Sequence, residues 1–181
     1  MRKVGTILVM AAVAALGVTA SAQKTTPVHP GKNGSPHVKT EWTIDGAGIA
    51  IEYGRPYLKG RPDAEVMPPG APWRTGADEA TTITTDKALT FGSLSLAPGT
   101  YTINTVPGDK GWQLVIGKLS KPGQWGVPYN ESLEIGRSPM SLSKTKAPVE
   151  QVTISIDDTP AGGTLRVEWG GTSATAAFTV G

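Results

Sequence analysis

From Thr40 onward the chain alternates apolar and polar residues with a period of two. Trp42 and Ile44, then Ile49, Ile51 and Tyr53, stand on one side of such runs, with Thr43, Ala50 and Glu52 between them. The same pattern recurs in Trp112, Leu114 and Ile116, in Val152, Ile154 and Ile156, in Leu165, Val167 and Trp169, and in Ala174, Ala176, Phe178 and Val180. This is the signature of antiparallel strands with one buried face. Turn residues punctuate the runs: Pro98-Gly99 before Tyr101, Pro107 to Gly111 before Trp112, and Pro160-Ala161-Gly162-Gly163 between two strands. Gly170-Gly171 is expected to turn the chain into its final strand. Helical periodicity is absent except for a possible single turn at Ala77 to Ala80 or at Asn130 to Ile135. Roughly nine short strands at this spacing predict an all-β fold, a single antiparallel β-sandwich.

The N-terminal region breaks the pattern. Arg2 and Lys3 precede an apolar run from Val4 to Val18, and Ala20-Ser21-Ala22 supplies a small-x-small cleavage site, which predicts a secretory signal peptide over 1–22. The run is too short and too diluted by Ala, Gly and Thr for a membrane span. Residues 23–39 are rich in Pro, Gly, Lys, Ser and Thr and read as a flexible leader, so the sandwich domain is expected over 40–181. Export implies a periplasmic or extracellular location, with no membrane span after cleavage.

Charge and composition then narrow the chemistry. The chain carries 17 basic and 15 acidic residues, two of the basic ones being Arg2 and Lys3. The exported portion is therefore neutral in formal charge and lacks the basic stripe a nucleic-acid partner requires. Cysteine is absent, which excludes disulfides and thiolate metal sites. Both histidines, His29 and His37, fall in or beside the leader. They read either as a loose metal-binding pair or as part of a solvated tail, and without convergent carboxylates the second reading is preferred, so no metal and no cofactor are expected. The body of the domain can then assemble neither a Ser-His-Asp triad nor a Cys-His dyad.

The densest set of directional polar groups is Trp73-Arg74-Thr75-Gly76-Ala77-Asp78-Glu79-Ala80-Thr81. A positive φ at Gly76 would swing Asp78 and Glu79 toward the Arg74 guanidinium. Such a cluster would either bind a sugar or small anion beside the Trp73 indole, or clasp the loop to the sandwich by satisfying buried polar groups. Arg55, at a strand end, and Arg61, between Gly60 and Pro62, would make an anion patch if they converge with Arg74. Trp125 and Tyr129, in a segment without alternation, are candidates for an exposed stacking surface.

Together with Tyr53-Gly54-Arg55-Pro56, Lys59-Gly60-Arg61, Ala97 to Thr102, Trp112 and Trp125 to Tyr129, this nonapeptide resembles a bacterial family catalogued as domain of unknown function 2911, over about Ile49 to Val180. The resemblance implies no activity. Asp78 stands where that family's pattern has Asn, and Asp63-Ala64-Glu65 where a more apolar turn is expected, which adds carboxylates near Arg61 and Arg74.

Two functional classes follow. The first is a non-catalytic binding or structural module of the cell envelope, whose partner is a small anionic ligand, a glycan or an envelope protein. The alternative is a hydrolase of envelope or extracellular glycans working through Glu52, Asp63, Asp78 and Glu79. Without a nucleophile motif the first is preferred, and Asp78 and Glu79, adjacent in sequence, are poorly placed to face one another across a substrate.

Overall fold

A computed structural model describes residues 23–32, 34–121 and 129–181. The fold is all-β, as the alternation predicts. Ten strands, every pair antiparallel, run in the order β1-β2-β3-β4-β7-β8-β9-β10-β5-β6. They are β1 (Lys24–His29), β2 (His37–Ile44), β3 (Ala47–Gly54), β4 (Thr82–Thr85), β5 (Leu89–Phe91), β6 (Leu94–Leu96), β7 (Gly99–Val106), β8 (Trp112–Lys118), β9 (Glu134–Thr159) and β10 (Gly162–Val180).

The sheet closes over on itself because β9 belongs to both layers. Its first residues, Glu134 to Met140, pair with β8, and Ser141 to Thr159 pair with β10. A strand that changes sheets in this way forms the corner of a sandwich. Side chains from both layers meet in one core, including Trp42, Ile49, Ile51 and Ile83 from one and Phe91, Leu165, Val167 and Phe178 from the other. The chain after β3 laces the layers together: Leu58 N–H donates to the Glu150 carbonyl at 2.6 Å, and Val152 N–H to the Pro56 carbonyl at 3.1 Å.

Three expectations change. Most of the stretch read as a flexible leader is ordered as β1 and the start of β2, paired in register from Lys24↔Glu41 to His29↔His37. Every residue of β1 is exposed, so an edge strand of this kind has no apolar face to announce it, and Pro27 is tolerated because one side of the strand has no partner. Gly170-Gly171 makes no turn but a bulge inside β10, where the register against β9 shifts. The buried positions are odd-numbered before it (Leu165, Val167, Trp169) and even-numbered after it (Ala174, Ala176, Phe178), the phase change a bulge imposes. Helical turns occur at Glu131–Leu133, where the Asn130 side chain accepts from Ser132 N–H, and at α1 (Asp63–Val66), but not at Ala77 to Ala80.

The signal-peptide expectation falls on residues outside those described. Among the described residues no helix is long and apolar enough to cross a membrane.

Candidate functional site

The segment from Trp73 to Thr81 links α1 to β4 and is threaded between β3 and β7. Trp73 and Thr105 exchange backbone hydrogen bonds of 2.7 and 2.8 Å. Thr75, fully buried, has a left-handed backbone (φ +55°), a rare conformation for a β-branched residue that persists only where its surroundings enforce it. Here its hydroxyl donates to Thr105 Oγ1 at 3.1 Å, while its carbonyl accepts from the buried Thr81 hydroxyl at 3.2 Å. Gly76 lies against Gly54 of β3: a Cβ on Gly76 would stand 2.9 Å from the Gly54 carbonyl oxygen, and one on Gly54 would stand 2.6 Å from His37 Nε2. Gly76 is thus required for close approach, whereas the positive φ values fall on Thr75 and on Asp78 (φ +61°).

That second reversal sends the carboxylates away from Arg74. Arg74 Nη1 donates to the backbone carbonyl of Asp78 at 2.6 Å, and among the described residues no carboxylate is paired with its guanidinium. The Asp78 and Glu79 side chains instead meet the two histidines. His37 Nε2 lies 2.9 Å from Glu79 Oε2 and 3.4 Å from Asp78 Oδ2, and His29 Nε2 lies 3.5 Å from Glu79 Oε1. The imidazoles stack with centroids 4.2 Å apart, because the β1–β2 register sets them directly opposite one another. Asp78 Oδ2 also accepts from Lys32 N–H at 2.8 Å, tying the hairpin loop to the same corner. The prediction of histidines lacking convergent carboxylates therefore fails: donor atoms of His29, His37 and Glu79 gather within 4.8 Å of one another.

Of the other arginines, Arg55 does not join Arg74. Its Nε donates to the Val152 carbonyl at 2.9 Å and its Nη2 to Thr153 Oγ1 at 3.0 Å, which sews β3 to β9. Arg61 does approach Arg74: both line an open groove of about 600 Å³, together with Glu65, Trp73 and Trp169. Arg61 donates to the carbonyls of Leu58 and Tyr57 at 3.0 and 2.7 Å and lies 5.8 Å from the Trp169 ring centroid. Trp73 is stacked on Trp169 at 5.5 Å and meets Trp112 edge-on at 6.2 Å, so its indole is part of an aromatic stack that walls the groove.

Trp125 lies outside the described residues. Tyr129 is tied down rather than presented, its hydroxyl donating in a short bond to Glu134 and accepting from Arg137 Nη2 at 3.2 Å. The hydrogen bond to Glu134 raises the Tyr129 pKa, while the Arg137 guanidinium, bonded to both Glu134 oxygens, holds the Glu134 carboxyl below its usual range. Of the other two carboxylates named for hydrolysis, Asp63 Oδ2 accepts from Gly171 N–H and the Thr172 hydroxyl, both at 3.2 Å, and Glu52 is exposed on β3 opposite Lys39 and Thr82.

His29 and His37 are the site residues that the sequence reading set aside. The one signal was weak: Asn33-Gly34 between them is a turn dipeptide, though the alternating apolar runs that make it a hairpin signal do not flank it.

Fold and site define an all-β sandwich whose polar centre joins an N-terminal hairpin to an internal loop. The chain belongs to a family described as protein of unknown function (DUF2911), which matches residues 35–178. No curated protein and no solved structure matches it.

Proposed function

We propose that the protein is an exported, non-catalytic binding module of the cell envelope, and that the groove beside Trp73 takes a small ligand bearing an anionic group. The observation that carries this reading is the state of Arg61 and Arg74. Both line the groove, and the guanidinium bonds described above run to backbone carbonyls and not to carboxylates. A guanidinium held by carbonyls is fixed in direction yet keeps its full charge, which suits recognition of a carboxylate or phosphate. Two acidic residues, Glu65 and Asp78, also line the groove, and the Asp78 carboxylate is turned to Lys32 N–H and His37, which leaves Glu65 beside the two arginines. The indole pair supplies the apolar wall that small-ligand sites combine with a few directional groups.

A thermal-shift screen of matched acidic and neutral compounds, such as uronic acids against their parent sugars, tests the reading. The acids should raise the Tm of the wild type and have a weaker effect on Arg61→Gln, whose exposed side chain can be changed without opening the core. Equal response to neutral and acidic members, or an undiminished response in Arg61→Gln, would overturn it.

A further inference from the structure

We propose that His29, His37 and Glu79 hold a divalent transition-metal ion of the zinc class, with Asp78 completing the donor set, and that this ion fastens the N-terminal hairpin to the Trp73 loop. The inference stands apart from the groove reading and uses different side chains. Its starting point is a pair of buried atoms that do not satisfy one another. His37 is 2% exposed, and its Nε2 and Glu79 Oε2 lie 2.9 Å apart without the alignment of a hydrogen bond, neither atom having a hydrogen-bond partner. Buried polar atoms are rarely left so, and a bound ion between them is one of the few explanations.

Three of the donor separations lie near the spacing such an ion sets. Ligands about 2.0–2.1 Å from a tetrahedral zinc stand about 3.3–3.4 Å from each other. The separations here are 2.9 Å for His37 to Glu79, 3.4 Å for His37 to Asp78 and 3.5 Å for His29 to Glu79. Two imidazoles with carboxylates favour zinc and its neighbours over calcium or magnesium, which prefer oxygen alone. Asp78 lies outside the group of three but stands 3.4 Å from His37 Nε2 and would supply the fourth donor, and four protein donors with no open position make a structural site, not a catalytic one.

Ligation through Nε2 fixes the tautomer of His29. His29 Nδ1 accepts from Gly31 N–H at 3.1 Å, so the neutral ring carries its proton on Nε2, the atom facing Glu79. When Nε2 binds the metal that proton moves to Nδ1, which becomes a donor, and Gly31 N–H gives up its bond. The consequence for the fold is local: β1 is exposed along its length and pairs with β2 alone, and the ion would fix its loop end at His29.

The test is calorimetric titration of the tag-free protein with Zn²⁺, and with Ca²⁺ as the contrasting cation. A saturable site of one Zn²⁺ per chain is expected, with affinity reduced about 100-fold or more in both His29→Ala and Glu79→Gln. Glu79→Gln preserves shape, and His29 is 40% exposed, so both variants should fold, which far-ultraviolet circular dichroism of the apo forms checks. Amide exchange over residues 24–29 should slow on adding Zn²⁺ to the wild type and stay unchanged in Glu79→Gln. Absence of a stoichiometric site, equal affinity for Ca²⁺, or undiminished binding by the two variants would each overturn the proposal.

Discussion

Replacing Gly54 by Ala probes the contact on which both the threonine cluster and the histidine cluster depend. The new methyl would run into the Ala77 carbonyl oxygen and stand 2.6 Å from His37 Nε2. Neither obstacle can step aside: the first is backbone, held by the Ala77 N–H bond of 3.3 Å to the Gly54 carbonyl, and the second is a fully enclosed ring. Overpacking of this kind typically costs about 1–3 kcal/mol, and two immobile contacts place the change at the upper end, about 3 kcal/mol. For a domain of this size that lowers Tm by about 6–12 °C. Gly48, on the same strand, is the control, since a methyl there meets at 3.0 Å only the carboxylate end of Asp86. Calorimetric melts of Gly54→Ala and Gly48→Ala should therefore differ sharply. A Gly54→Ala protein melting within about 2 °C of wild type would show that the loop does not press on β3 as described.

Other consequences can be checked by the same methods. Tyr53→Phe leaves Ile154 N–H without the hydroxyl that accepts from it at 2.9 Å, a buried orphan costing about 1–2 kcal/mol in urea unfolding. Burial raises the Tyr53 pKa, so its neutral form is favoured by folding; the associated stability is complete below the ordinary tyrosine pKa, about 10, and is lost as pH rises through the higher folded value. Tyr53→Phe should flatten that alkaline limb. Glu134 has the opposite sign: its pKa is lowered chiefly by Arg137, so its contribution is present above the unfolded glutamate pKa and lost as pH falls through the folded one. Since the pair lies at the surface, Glu134→Gln should flatten the acid limb by no more than about 1 kcal/mol. Asp63→Ala removes the acceptor of Gly171 N–H and the Thr172 hydroxyl, and should speed amide exchange at the β10 bulge while lowering Tm by about 2–6 °C.

The fold was legible wherever a strand has an inside and an outside. Trp42, Ile49, Ile51 and Leu165 announced their strands because each buries one face. Nothing of the kind marks β1, whose stability comes from pairing with β2 and from the polar corner at His29. The bulge at Gly170 was visible as a change of phase between Trp169 and Ala174, yet a phase change and a turn look alike until the partner strand is known. In the candidate site, the residue types from Trp73 to Thr81 were recognisable as dense in polar chemistry, but their directions were not. Those directions follow from positive φ at Thr75 and Asp78, which tertiary packing enforces against local preference. One reversal buries the threonines and the other sends Asp78 and Glu79 to the histidines, leaving Arg74 to a carbonyl. No spacing rule along the chain connects position 79 to position 29; only the β1–β2 register and the close passage of Gly76 over Gly54 do so.

The segment from Trp73 to Thr81 faces two ways, threonines inward and carboxylates toward the N-terminal hairpin. The most direct measurement is an anomalous difference map, recorded on either side of the zinc absorption edge, from crystals of tag-free protein equilibrated with Zn²⁺. One peak is predicted about 2.0–2.2 Å from His29, His37 and Glu79, with Arg74 still bonded to the Asp78 carbonyl. A map without density there, or Asp78 and Glu79 carboxylates turned onto Arg74, would contradict it.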